Sequence, residues 1–268
     1  MNKFAIYPLK SGSQGNSYLI TNQKTNILAD CGISARELEK NLKNLGLSSG
    51  EISAAVITHE HTDHTKGIGT SARKHGFPVY ATKETWRAMW RQVAPIEDSQ
   101  IKIIASKEEF FINDIKICSY PTSHDAANPV GYSFLFENKK ISLTTDTGYI
   151  NSEIIAAAQG SDIAVIEANH DEKMLINGSY PQHLKERILS DCGHLSNKIC
   201  GALCAKLVRE GCLKQIMLGH LSSDNNTPHL AYSTVAKSIE NLGIQVGSDV
   251  LLYVANRHSA GETLVDSK

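Results

Sequence analysis

Cysteine is scarce in this chain: there are six in 268 residues with no CxxC pair, which excludes a disulfide framework and a structural zinc knuckle. Cys31, Cys118, Cys192, Cys200, Cys204 and Cys212 therefore read as reduced thiols, and Cys200, Cys204 and Leu207 share a helical spacing that assigns them to a core. No apolar run approaches the roughly 20 residues of a membrane span, and the opening MNKFAIYPLK lacks the apolar stretch of a signal peptide. The expectation is a cytoplasmic chain with no membrane partner. Charge of one sign is missing too: 27 basic against 28 acidic residues leave a net charge of -1, which argues against a globally basic nucleic-acid binder. With 41% apolar residues, a disordered polyelectrolyte is also excluded. No Pro-rich linker, low-complexity tract, charge block or fixed-period repeat divides the chain, so residues 1–268 are expected to form a single domain.

What is present is a pattern of short strands and amphipathic helices. FAIYP, SYLIT and TNILAD read as strands, and Ser34, Glu37, Leu38, Leu42, Leu45 and Gly46 spell a helix with a capping box, an apolar stripe and a terminal glycine. SAAVI at 53–57 reads as a buried strand, and EFFI, IKICSY, GYSFLF and KISLTT supply four more between 109 and 145. After Asp146, helices at 151–158, near 182–190, at 196–210 and, led by Pro228, at 228–242 alternate with buried strands at 162–166 and 214–218. Strands accompanied by helices in both halves predict an α/β sandwich covered on both outer faces.

The chemistry is concentrated in Thr58-His59-Glu60-His61-Thr62-Asp63-His64. On an irregular loop directly after a buried strand, HxHxDH sets out four ligand-capable side chains, alternate ones free to point at different metal ions. One loop cannot enclose an ion, so further donors must come from later strand ends. His124 follows IKICSYPTS, Asp146 follows KISLTT and His220 follows QIMLG, each at the end of an apolar run. Imidazole and carboxylate donors without thiolate suit zinc or manganese, with iron as a further option, better than Cu(I) or calcium.

The order HxHxDH, His, Asp, His resembles the metallo-β-lactamase superfamily over nearly the whole chain. That resemblance implies a four-layer αββα sandwich with two divalent metal ions at one edge of the sheets. His59, His61 and His124 would hold the first ion, Asp63, His64 and His220 the second, and Asp146 would bridge them. A carboxylate at position 146 is similar to the phosphodiesterase and nuclease branches, whereas lactam-hydrolysing members can carry cysteine there. Ile166-Glu167-Ala168-Asn169, Gly193-His194-Leu195-Ser196 and Leu218-Gly219-His220-Leu221-Ser222 look like the ribonuclease Z arrangement, which implies that Glu167 orients His194 as the acid for a leaving alkoxide. Asp63, Glu167 and His194 are then the expected catalytic set. Residues 125–145 leave no room for the inserted tRNA-clamping arm of ribonuclease Z. Leu9 to Ser17, Thr122 to Tyr132 and His220 to Asn226 are similar to the YycJ (WalJ) subfamily, which implies a 5'-to-3' DNA exonuclease in which a metal-activated hydroxide attacks phosphorus. A small-molecule hydrolase of the same fold, acting on a cyclic phosphodiester, thioester or lactone, is the alternative.

Two stretches bear on substrate binding. Ser11-Gly12-Ser13-Gln14-Gly15-Asn16 can aim N–H groups at an anion, with Ser11, Ser13 and Asn16 as candidate contacts, or can be a tight hairpin turn. Residues 65–96 carry Lys66, Arg73, Lys74, Lys83, Arg87 and Arg91 against Glu84 alone, with Trp86 and Trp90 four apart among the arginines. Such a surface can hold phosphates on Arg87 and Arg91 and bases on the rings; equally, the tryptophans can anchor a helix whose arginines are solvated. DNA ahead of RNA, or a small phosphodiester, is the expected partner. His170 reads either as a support for Glu167 or as a loop residue, and His75, His183, His229 and His258 carry no assignment.

Overall fold

The computed structural model describes residues 4–211 and 213–256 and the backbone of 264–265; Cys212 and His258 lie outside the described residues. The chain opens with β1 (Ala5–Lys10), β2 (Ser17–Thr21) and β3 (Asn26–Ala29), an antiparallel meander, followed by α1 (Ala35–Asn44). The Ser34 hydroxyl caps α1 by accepting from the Glu37 N–H, while the Glu37 carboxylate turns to Lys10 Nζ at 3.1 Å. Gly46 closes the helix in the left-handed region at φ 77°, where a side chain would be strained. Then come β4 (Ala54–Val56), α2 (Thr62–Thr65), α3 (Ile68–His75), β5 (Val79–Thr82), α4 (Lys83–Val93) and β6 (Ile101–Ile104), whose strands extend the first sheet in parallel.

The second sheet starts antiparallel with β7 (Glu109–Ile112), β8 (Ile115–Pro121), β9 (Val130–Phe136) and β10 (Lys139–Thr144). It continues through α5 (Ser152–Ala158), β11 (Ile163–Glu167), α6 (Glu172–Asn177), α7 (Gln182–Leu189), α8 (Asn197–Glu210), β12 (Gln215–Gly219), α9 (Pro228–Glu240) and β13 (Leu251–Val254), with β10 to β13 parallel. Finally β14 (Leu264–Val265) pairs with β1, giving the orders β14-β1-β2-β3-β4-β5-β6 and β13-β12-β11-β10-β9-β8-β7.

Strand alternation decides which layer each side chain joins. In β2, Tyr18 and Ile20 enter the core between the sheets while Leu19 faces the helices, and in β11 Val165 points inward while Ala164 and Ile166 point outward. Leu38, Leu42, Ala72, Trp86 and Met89 of α1, α3 and α4 cover the first sheet. Ile154, Cys200, Cys204, Leu207 and Val235 of α5, α8 and α9 cover the second. The fold is therefore the αββα sandwich. Central strands read as unbroken apolar runs because both of their faces are covered. Among the described residues, no helix is long and apolar enough to cross a membrane. Short elements such as β5, β6 and α6 escaped the sequence reading because they hold too few residues to display a period.

The loop after β4 is pinned from both sheets. Tyr132 Oη donates to Ile57 O at 2.7 Å and Val130 N to Thr58 O at 3.0 Å, which ties the loop to β9 across the core. From its own sheet, Asn16 N donates to Asp63 O at 2.7 Å and Cys31 N to His64 O at 2.8 Å. Gly32 is required there, since a Cβ would sit 1.6 Å from Asp63 O.

Candidate metal centre

Both sheets present strand ends at one rim. The β4 end supplies His59, His61, Asp63 and His64, and the β8, β10, β11 and β12 ends supply His124, Asp146, Glu167 and His220, with His194 just before α8. Asp30 (φ 59°), Asp146 (φ 53°) and His220 (φ 53°) all turn through the left-handed region as they leave their strands. A non-glycine residue there costs on the order of 1–3 kcal/mol, and such strain persists where the surroundings fix it.

Four overlapping groups of donors result. His59, His61 and His124 form one, Asp63, His64 and His220 another, and Asp146 belongs both to a group with His59 and His64 and to a group with Glu167, His194 and His220; within each group the donor atoms lie within 4.8 Å of one another. Four of the imidazoles, those of His59, His64, His124 and His220, are held by Nδ1 against a neighbouring oxygen, which leaves Nε2 towards the other donors. His124 Nδ1 donates to Gly193 O at 3.0 Å, and the Nδ1 atoms of His64 and His220 meet Asp30 Oδ2 and Glu167 Oε1, each at 2.8 Å. His59 Nδ1 is 3.0 Å from Thr58 Oγ1. The buried Nε2 atoms of His59 and His220 have no hydrogen-bond partner in the protein. Buried polar nitrogens are rarely left so, and an imidazole with its far nitrogen tied to a carboxylate or carbonyl is how proteins present a metal ligand. The donor set thus fits divalent metal ions.

The electrostatics point the same way. Burial pushes His64 towards neutrality, but Asp146, Asp30 and Asp63 overcome it and hold the ring charged, well above the usual histidine range. His220, also opposed by burial, is raised to about 10 by Asp146, Asp63 and Glu167. Asp146 remains ionised despite burial because His220 and His64 face it. His59 is driven well below its ordinary value, by burial and then by the His64 charge, and so offers a neutral Nε2; burial lowers His124 as well. The rim stabilises positive charge, whether carried by protons or by metal ions.

A profile of the beta-lactamase superfamily domain matches residues 25–220, and exodeoxyribonuclease YycJ of Bacillus anthracis is 39% identical over 239 residues, covering 89% of this chain and 90% of that protein. The chain belongs to the beta-lactamase superfamily, in its YycJ/WalJ branch. Exodeoxyribonuclease WalJ of Streptococcus pneumoniae is 38% identical to this superfamily member over 253 residues, covering 94% of the chain and 93% of the relative. Among solved structures, the metallo-beta-lactamase fold protein YhfI of Bacillus subtilis superimposes with a TM-score of 0.72 at 15% identity, covering 98% of this chain and 100% of that one, which is a likeness of fold.

The other sequence-derived candidates of this superfamily member are distributed differently. Ser11 is buried, its hydroxyl 2.7 Å from Tyr18 Oη and accepting from His220 N at 2.8 Å, so it supports the β12 end and does not face an incoming phosphate. Asn16, also buried, reaches Asp63 Oδ2 at 3.2 Å and His64 Nε2 at 3.0 Å and braces the donors. Only Ser13 of this loop lines the cleft above the centre, an opening of about 230 Å³. Trp86 is buried and donates from Nε1 to Lys102 O at 3.1 Å, whereas Trp90 is 43% exposed, so the helix-anchoring reading fits Trp86 and not Trp90. Arg87 and Arg91 are exposed on α4, and Gln92 beside them reaches Thr62 and Thr65 of α2. His170 is buried within the wall, with neither ring nitrogen in a protein hydrogen bond.

Sequence reasoning missed Asp30. Its carboxylate accepts from Thr58 N and Thr58 Oγ1, both at 2.8 Å, besides meeting His64 Nδ1. The signal available was a lone aspartate at the end of TNILAD, with nothing in the spacing to link it to a histidine 34 positions later.

Proposed function

We propose that this protein is a metal-dependent phosphodiesterase acting on DNA, a 5'-to-3' exodeoxyribonuclease that holds two divalent ions, zinc or manganese, with residues 1–268 working as a single domain. The observation that carries this reading is the set of buried imidazole and carboxylate donors under one cleft, in a chain closely similar to proteins named exodeoxyribonucleases over almost its whole length. His59, His61 and His124 would hold one ion, Asp63, His64 and His220 the other, with Asp146 between them. Bound ions supply Lewis acidity that lowers the pKa of water and polarises phosphoryl oxygens.

The protein's own part is to orient these groups and move a proton. Glu167 is buried, yet His194 and hydrogen bonds from His194 and His220 hold its carboxyl down to about 2. Its Oε1 lies 2.7 Å from His194 Nδ1, and its Oε2 accepts from Thr147 N at 3.0 Å and Leu195 N at 3.2 Å. With Nδ1 committed to Glu167, His194 has Nε2 left to protonate a departing sugar oxygen, and the residue lines the cleft. The same carboxylate also fixes His220, so acid and metal-ligand geometry share one support. Free cysteines fit a reducing compartment such as the cytoplasm.

Product analysis on 5'-phosphorylated single- and double-stranded DNA, RNA and an aryl phosphodiester, with zinc and manganese compared, tests the reading. Mononucleotide release from DNA that stops with a chelator and returns with metal is the expected result. Cleavage of the aryl ester without any attack on DNA would favour the small-molecule alternative.

Arg87 and Arg91 supply a second check. Replacing both by alanine should weaken DNA binding and flatten the log-log salt dependence by up to about two units, since each phosphate contact contributes about 0.9. Aryl phosphodiester hydrolysis should be kept. Titrating binding between low and physiological salt reads this out, and equal losses on both substrates would make the pair a support of the fold.

A further inference from the structure

The cleft above the donors has two unlike walls. One is the donor rim itself, with Asp63, Asp146, His194 and His220; the other is the segment through α7, which contributes Tyr180, Leu184, Arg187 and Ile188. Arg187 is the single lysine or arginine among the described residues that line the cleft. Its side chain is 45% exposed yet does not swing freely, because Nε and Nη2 both donate to the Asp125 carboxylate, the latter at 2.9 Å. Asp125 is fixed in turn, with its N–H donating to Cys192 O at 3.1 Å and its Oδ1 lying 3.3 Å from His124 Nε2. A guanidinium has five N–H groups, and this pairing commits two, so three remain for an incoming acceptor in a geometry already set. Tyr180, held by Oη donating to Asp224 Oδ2 at 2.9 Å, and Leu184 give the same wall an apolar surface suited to a sugar or base. Arg187 also feels the charges of Asp146 and Asp63, which add to the larger effect of Asp125 in holding it protonated.

Resting on the nuclease reading, we propose that Arg187 is a specificity-determining residue that takes a non-scissile phosphate of the terminal nucleotide, while the donor rim opposite takes the scissile one. A free mononucleotide carries the same phosphomonoester and would occupy the same subsite. The Asp125 carboxylate keeps the guanidinium from collapsing onto the acidic rim and leaves its outer edge for the phosphate. A substrate with one phosphate and no neighbour cannot use this contact.

The test compares wild type, Arg187→Ala and Arg187→Ala with Asp125→Asn on a 5'-phosphorylated duplex and on an aryl phosphodiester. Loss of a charge-assisted contact should raise KM for the duplex roughly 10- to 100-fold, with kcat and aryl hydrolysis held within about threefold. Inhibition of aryl hydrolysis by a deoxynucleoside monophosphate should weaken by roughly tenfold in the same variant. If Arg187 serves only to neutralise Asp125 beside His124, the double variant recovers the duplex KM and the assignment falls; under the proposal KM stays high. Equal losses on both substrates, or unchanged KM and unchanged inhibition, also overturn it. Wild type that releases no nucleotide from DNA refutes the nuclease reading instead, and the inhibition measurement then still decides whether Arg187 binds the phosphate.

Discussion

Replacing Asp146 by alanine should cost at least about 10³-fold in kcat/KM, since it would disturb both of the proposed ions, each supplying several kcal/mol, at 1.36 kcal/mol per tenfold. Asp146 is buried, with Oδ2 3.2 Å from His64 Nε2 and Oδ1 3.2 Å from His220 Nδ1, and it belongs to a donor group with His59 and His64 and to another with Glu167, His194 and His220. Without it His64 and His220 lose the carboxylate they share and keep Asp30, Asp63 and Glu167 alone to offset their charge. Metal content should therefore fall from a value approaching two ions per chain to one or fewer, by elemental analysis after supplementation. Asp146→Asn keeps the shape and removes the charge, so it should lose metal while retaining its circular dichroism spectrum. Retention of both ions by either variant would defeat the bridging role of Asp146, and a wild-type metal content near zero after supplementation would defeat the two-ion reading. Metal affinity should also climb with pH, because the raised pKa values of His64 and His220 mean that ions must displace protons from both rings.

The second large effect is expected from His194→Ala, which should slow DNA hydrolysis by roughly 10²- to 10⁴-fold, the range of general-acid catalysis, without loss of metal. The leaving group separates the explanations. A sugar alkoxide needs a proton as it departs, whereas an aryl oxide is stable without one, so the aryl phosphodiester should be cleaved by the variant at close to the wild-type rate. Loss of metal on this substitution would make His194 a ligand, an outcome left open by its place beside Asp146, Glu167 and His220. Glu167→Gln should behave differently, weakening both turnover and metal retention, because Glu167 Oε1 meets His220 Nδ1 at 2.8 Å as well as His194 Nδ1 at 2.7 Å.

The sequence by itself determined those features that are written locally. HxHxDH after a buried strand, and His124, Asp146 and His220 each after an apolar run, are legible because strand burial and loop position are short-range patterns. The α1 cap at Ser34 and the Pro228-led α9 were readable for the same reason. Only the tertiary structure decided what depends on surfaces that meet from distant parts of the chain. Asp30 reaches His64 across 34 positions and Arg187 reaches Asp125 across 62, and no spacing rule marks either pair. The Ser11 to Asn16 loop read equally as an anion nest or a tight turn, and packing against β12 and the metal loop turned Ser11 and Asn16 inward and left Ser13 to the cleft. Trp86 and Trp90 carry the same local signal, yet one is buried and the other exposed. Helical spacing places both on one stripe, but only Trp86 packs into the core that covers the first sheet.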